Sequence, residues 1–440
     1  MLNTKCLLVV FFMFSVAFLA VDFLTNPFKL GSSGVFEEYQ MGEDDTVCWT
    51  MACSLQKGFF SSCCLPYSSS TEVYTSQVGL QTLVPCVLIR VGGWSIEPVM
   101  HGLGIVMALC LAATLTAFAF YIGKEFGKGT GFIFWLLVAL SDGLVFIGRN
   151  VGRVYFLFLL PFVVSWFLYP RVLDKRLRPV AFLWIIGGLI FIRACCGYEF
   201  ITNVILSASV APLYFGIVRK LPFRIMTAHV IKITAVGVVA LAVALSVNII
   251  QTSCYYGSIN DGFRVVYGKA AARTIGPESQ LKDLGRDGGD SLRPFETPFS
   301  VLSTSLRVRA TTLPFGVGIN PNSNFPTFLS FFQLGLPLAI FPFLVGMWVP
   351  VLARYQRELF ALSAALIWSM LGTTTWLFMA AGWTSHHYHI IDLVFYIAYL
   401  PMLFVVFGRI VVVLIEQVVS CFSGATGRRC AVKAHQSAKT

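Results

Sequence analysis

Residues 99–122 read VMHGLGIVMALCLAATLTAFAFYI, twenty-four positions without one Asp, Glu, Lys or Arg. As an α-helix this run is about 36 Å long, enough to cross the roughly 30 Å hydrocarbon core of a bilayer. Charge returns at once behind it, at Lys124 and Glu125. Similar apolar runs recur at 6–24, 130–148, 154–169, 179–195, 200–218, 230–252, 326–350, 359–381 and 393–415. The expected fold is therefore all-α and transmembrane, a single polytopic domain over 1–440 with about ten spanning helices. Two large extracytoplasmic loops, 25–98 and 253–325, and a basic tail, 416–440, complete it.

Composition agrees. Of 440 residues, 57% are hydrophobic and 12% charged, and mean hydropathy is +0.77; soluble domains carry about 25% charged residues. These values exclude a soluble enzyme, a disordered chain and a nucleic-acid-binding domain. The net charge of +11 is mainly a topology signal. With the N-terminus cytoplasmic, the inner side receives 18 of the 32 Lys and Arg against four acids, net +14, and the outer side 14 bases against 17 acids, net −3. The short outer turns then keep only Arg149, Arg153 and Arg193, as the positive-inside rule requires. Both termini are expected in the cytoplasm and both large loops outside. Residues 6–24 are read as an uncleaved anchor, because the run is long for a signal peptide and a cut after Ala20 would set Phe18 where a small residue is preferred.

Ionisable and amide side chains gather at the outer boundary, where burial at membrane depth is costly and so usually functional. The set is Asp22, Asp142, Arg149, Asn150, Arg153, Arg193, Tyr198, Glu199, and the group His386, His387, His389 and Asp392. An outward-facing reaction chamber at headgroup level follows. Arg149, Arg153 and Arg193 suit phosphate, which a guanidinium grips with two parallel donors. His386 and His389 lie at i,i+3 with Asp392 continuing that flank, a pattern for phosphate binding or proton transfer. Of the carboxylates following the first span, Glu38 and then Glu37 are the leading general-base candidates. They come soon after the turn at Gly31–Gly34, with Asp44 in the denser Glu43–Asp45 group behind. No motif demands a cofactor, although a carboxylate pair there is also of the type that holds a divalent cation. Gln77 and Gln81, on an amphipathic segment near 72–92, suit contacts to a sugar from the membrane surface. Eight of the twelve cysteines fall on or near the outer side, where an oxidising compartment permits disulfides.

YTSQVGLQ at 74–81, FIGRNVGRVYF at 146–156, GYEFIT at 197–202 and SHHYHIIDLVFYIAYLP at 385–401 occur in this order. Together they resemble a family of bacterial polytopic membrane proteins with GLQG, RNLYW, GYEY and H-x-x-H-x-H type patterns; at 151–155 the sequence VGRVY departs from the Leu-Tyr-Trp type. The architecture resembles GT-C glycosyltransferases. That resemblance implies a bacterial inner (plasma) membrane enzyme that moves a sugar from a polyprenyl-phosphate donor to a glycan, lipid or protein acceptor outside. The base would be an acid of the first outer loop. FGVGIN at 315–320, with the apolar run from Phe328 through Gly335, is similar to O-antigen polymerases and ligases and supports that alternative. A transporter or flippase is the alternative from another class, disfavoured by the near absence of mid-span charge.

Overall fold

The computed structural model describes residues 4–28, 78–275, 340, 355–380 and 394–437. Every element of the fold in the described residues is a helix, and eight candidate spans among them, seven single helices and the broken one at Ile201–Val218, are long and apolar enough to cross a membrane. The first is α1, Thr4–Thr25. A short helix, α2 (Leu80–Gly92), precedes the second span, α3 (Ile96–Phe126). The expected span 130–148 is not one helix. It forms α4 (Lys128–Ala139) and α5 (Asp142–Ile147), interrupted at Leu140 and Ser141. At about 18 Å, α4 alone is too short to cross. Buried Ser141 and Leu144 place the break inside protein, where irregular backbone at membrane depth is tolerated.

Then follow α6 (Phe156–Leu173) and α7 (Pro179–Cys196), the latter started by a proline in its first turn, whose fixed φ suits a helix start. The next span is made of α8 (Ile201–Ser207) and α9 (Val210–Val218). At the join, the Trp368 indole donates to Ser209 Oγ at 2.8 Å and to Leu206 O at 3.3 Å, so one neighbouring side chain plugs the gap. Two long helices, α10 (Phe223–Tyr256) and α13 (Tyr399–Ser437), overrun the expected spans 230–252 and 393–415. Much of the expected tail 416–440 thus continues the last span as helix. The two remaining helices are α11 (Ile259–Ile275), inside the second expected loop, and α12 (Gln356–Met379). The expected span 326–350 lies outside the described residues apart from residue 340, so the count of ten is not established.

The core is aromatic. Trp166 is fully enclosed, with Tyr214 at 4.9 Å, Phe215 at 5.4 Å and Phe118 at 5.9 Å between ring centroids. Close approach elsewhere depends on glycine. A methyl group on Gly131 of α4 would stand 2.6 Å from Ala119 O and 2.7 Å from the Cα of Gly123, so α3 and α4 form a backbone-to-backbone hairpin joined by Gly127 alone.

Candidate functional site

Four long-range contacts gather the polar turns at one end of the bundle. The Arg149 guanidinium donates to Leu24 O at the end of α1, at 3.4 Å. The Gln81 amide donates to Gly152 O at 3.5 Å, and the Gln251 amide to Val78 O at 3.2 Å. The Tyr198 hydroxyl donates to Ala244 O at 3.2 Å. The turn 148–155, the turn 197–200, the start of α2 and the far end of α10 therefore share one rim.

Inside that rim lies a cluster of three charges. Glu199 Oε2 is 3.4 Å from Arg153 Nη1 and 3.9 Å from Arg193 Nη2. Arg193, in the last turn of α7, is 1% exposed, and its guanidinium carbon sits 3.6 Å above the Phe158 ring. Tyr155 and Phe200 flank that ring at 5.3 and 5.6 Å. None of the three guanidinium nitrogens of Arg193 makes a hydrogen bond among the described residues. Among the described residues two cations thus share the Glu199 carboxylate, and the deeper cation, Arg193, has its donors unused there. A buried charge is tolerated only when paired and hydrogen-bonded, so this arrangement suits an incoming anion. Asn150 Oδ1 accepts the Arg153 backbone N–H at 2.7 Å and fixes the turn that carries it.

Strain sits beside both partners of the ion pair. Val154 (φ 49°) follows Arg153 and Phe200 (φ 57°) follows Glu199; both adopt the left-handed region and both are buried. A β-branched residue there is an outlier, and such strain persists only where the surroundings over-determine it, as at ligand sites.

No protein-family model, curated protein or solved structure matches this chain. Function has to be read from the residues themselves.

Of the residues expected from sequence, Arg153, Arg193, Glu199, Asn150, Tyr198 and Arg149 meet at this rim. Glu37, Glu38, Asp44, Gln77, His386, His389 and Asp392 lie outside the described residues. Asp22 is inside them and informative. It is 1% exposed, one turn from the end of α1, and neither carboxylate oxygen has a hydrogen-bond partner among the described residues. Among the described residues no group of three His, Cys, Asp or Glu gathers as metal ligands would. Cys195, Cys196 and Cys254 are unbridged; Cys48, Cys53, Cys63 and Cys64, four others expected on the outer side, lie outside the described residues.

Sequence reasoning missed a polar patch on α10. Asn248, Gln251 and Thr252 are all buried at the same rim. Their i, i+3, i+4 spacing sets them on one helix face and is visible in the sequence. Phe158, the platform under Arg193, carried no signal at all, because one more Phe in an apolar run is unremarkable.

Proposed function

We propose that this chain is a membrane-embedded glycosyltransferase that takes a sugar from a polyprenyl-phosphate donor at the Arg193 rim, the end that the charge pattern assigns to the outer face. The observation that carries the reading is the Arg153–Glu199–Arg193 cluster, with its buried guanidinium whose donors are unused. A phosphate entering there gains charge-assisted hydrogen bonds, each contributing roughly 1.5–3 kcal/mol. In the reaction a carboxylate takes the proton of the acceptor hydroxyl. The acceptor oxygen bonds to the anomeric carbon as the bond from that carbon to the phosphate oxygen breaks. The lipid phosphate leaves with the electron pair, and Arg153 and Arg193 stabilise its charge. The first-loop acids Glu38, Glu37 and Asp44 are candidates for the base by sequence. Asp22 joins them because its buried carboxylate, with no hydrogen-bond partner among the described residues, lies near the end of α1, whose last turn Arg149 contacts.

The test is binding of a short polyprenyl monophosphate to the protein in nanodiscs, followed by native mass spectrometry. Arg193→Ala and Arg153→Ala should each weaken binding by about ten- to a hundredfold. Unchanged binding in both variants rejects the site.

The interrupted spans α4–α5 and α8–α9 favour a second reading, since transporters build substrate sites from discontinuous helices. Trp368 plugs the α8–α9 join, and this weighs against a solute path there. Uptake of a labelled glycolipid by proteoliposomes, without sugar transfer, would establish the transport reading.

A further inference from the structure

The short helix α2 has two unlike faces. Val84, Val87, Leu88 and Val91 are exposed, Val91 at 84%, whereas Gln81, Pro85, Cys86 and Ile89 are buried. The exposed four stand at i, i+3, i+4 and i+7, one continuous apolar stripe. Left-handed glycines bound the helix at both ends, Gly79 (φ 76°) and Gly93 (φ 67°).

Both ends of α2 are fixed at one level. Val78, just before it, accepts the Gln251 amide from the far end of α10, and Gln81 reaches the turn at Gly152. Behind it, Gly93–Ser95 lead into α3 at Ile96, and the first turn of α3 packs Val99 and Met100 onto Cys86 and Ile89. A helix that starts and finishes where the spans end runs across the rim and not along the spans. At about 20 Å it is also too short to cross.

We propose that α2 is an in-plane membrane anchor, with its Val84–Val91 stripe seated in the lipid leaflet at the Arg193 end. The next span has an apolar exposed face of its own, Ile105, Val106 and Leu109 of α3, which a spanning helix turns toward acyl chains. Arg90 and the exposed Trp94 border it, the residue types that reach to headgroups and settle at the interface. An amphipathic helix of this kind lies in the headgroup–acyl boundary. The inference is independent of the proposed reaction, yet it touches the site: the Gln81–Gly152 contact ties the anchor to the residue before Arg153.

The test places the photo-crosslinker p-benzoylphenylalanine at Val87 or Val91, and at inward-facing Cys86 as a control. The full chain is reconstituted in vesicles of phosphatidylethanolamine and phosphatidylglycerol. Irradiation should give phospholipid adducts at Val87 and Val91 and none at Cys86. Crosslinks from both stripe positions to another segment of this chain would show that protein covers the stripe and overturn the proposal. So would the absence of any adduct, which means water. Val84, on the same stripe, replaces a variant that does not insert.

Discussion

Two buried arginines, at opposite ends of the bundle, are treated in opposite ways. Arg409 of α13 is saturated. Its guanidinium grips both oxygens of Glu358, and Nη1 donates to Phe126 O at 3.0 Å. The Tyr355 ring lies 5.0 Å from its charge, and the Tyr355 hydroxyl donates to Glu416 at 2.7 Å. One side chain thus ties α3, α12 and α13 together. Among the described residues Arg193 has one carboxylate nearby, Glu199 at 3.9 Å, which also pairs with Arg153, and it has an aromatic ring where Arg409 has acceptors. On the proposed reading, the contrast separates a charge buried to hold helices from a charge held ready for a ligand. Saturation marks the first and unused donors mark the second.

The sharpest way to break this contrast is at the Arg193 end. If Asp22 is the base, Asp22→Asn lowers sugar transfer by about 10²–10⁴-fold while insertion and donor binding persist, as a transfer assay with a synthetic polyprenyl-phosphate sugar would show. Transfer that survives Asp22→Asn and dies with Glu38→Gln moves the base into the first loop. Next in size is the paired stability test. Arg409→Met strands Glu358 and should cost about 2–3 kcal/mol, below the range for a fully buried pair because Glu358 is partly exposed. Arg193→Met, which sets an apolar chain over Phe158, should change stability by less than about 1 kcal/mol or raise it. Unfolding in nanodiscs followed by proteolysis measures both, and equal losses would erase the distinction. Arg149→Ala should weaken donor use by about tenfold, and Arg149→Lys should recover part of it because the planar fork is lost.

The smallest effect is expected at a surface pair. Arg219 hydrogen-bonds Asp174 and holds its carboxyl below the usual range. A lowered folded pKa adds stability above the unfolded value of about 3.9, and that stability fades as pH falls through the lowered folded value. Asp174→Asn should therefore lower the melting temperature slightly at pH 7 and leave it unchanged near pH 2. A difference of equal size at both pH values would remove the pair from any stabilising role.

The spans were legible because hydropathy acts locally: 99–122 announces α3 by itself. The interruption of 130–148 was not, since the backbone there yields to packing by residues far along the chain. Gly143 and Tyr396 touch at the start of α5, closely enough that a methyl group on that glycine would overlap the ring. The site was half legible. Charges at turns expected to face outward flagged Arg153, Arg193 and Glu199, yet the convergence of the two arginines on Glu199 and the Phe158 platform are products of tertiary packing. Asp22 was legible as a boundary acid, but its burial was not. The i, i+3, i+4 spacing of Asn248, Gln251 and Thr252 was in plain view and went unread, because neutral amides hardly lower the apolarity of a span.

The α3–α4 hairpin bears on how the chain is made. Its 44 residues, 96–139, leave the ribosome within roughly 2–9 s. Only Gly127 separates the helices, so the charges at the connection, Lys124, Glu125 and Lys128, lie within the helix ends themselves. Alone, α4 is too short to be retained in the bilayer, but α3 presents the Gly123 notch into which Gly131 fits. A pair packed this closely is expected to enter the lipid as one unit, the earlier helix serving as the insertion partner of the later. Widening the notch contact with Gly131→Leu would strand α4 during synthesis, before any finished fold exists to be weakened.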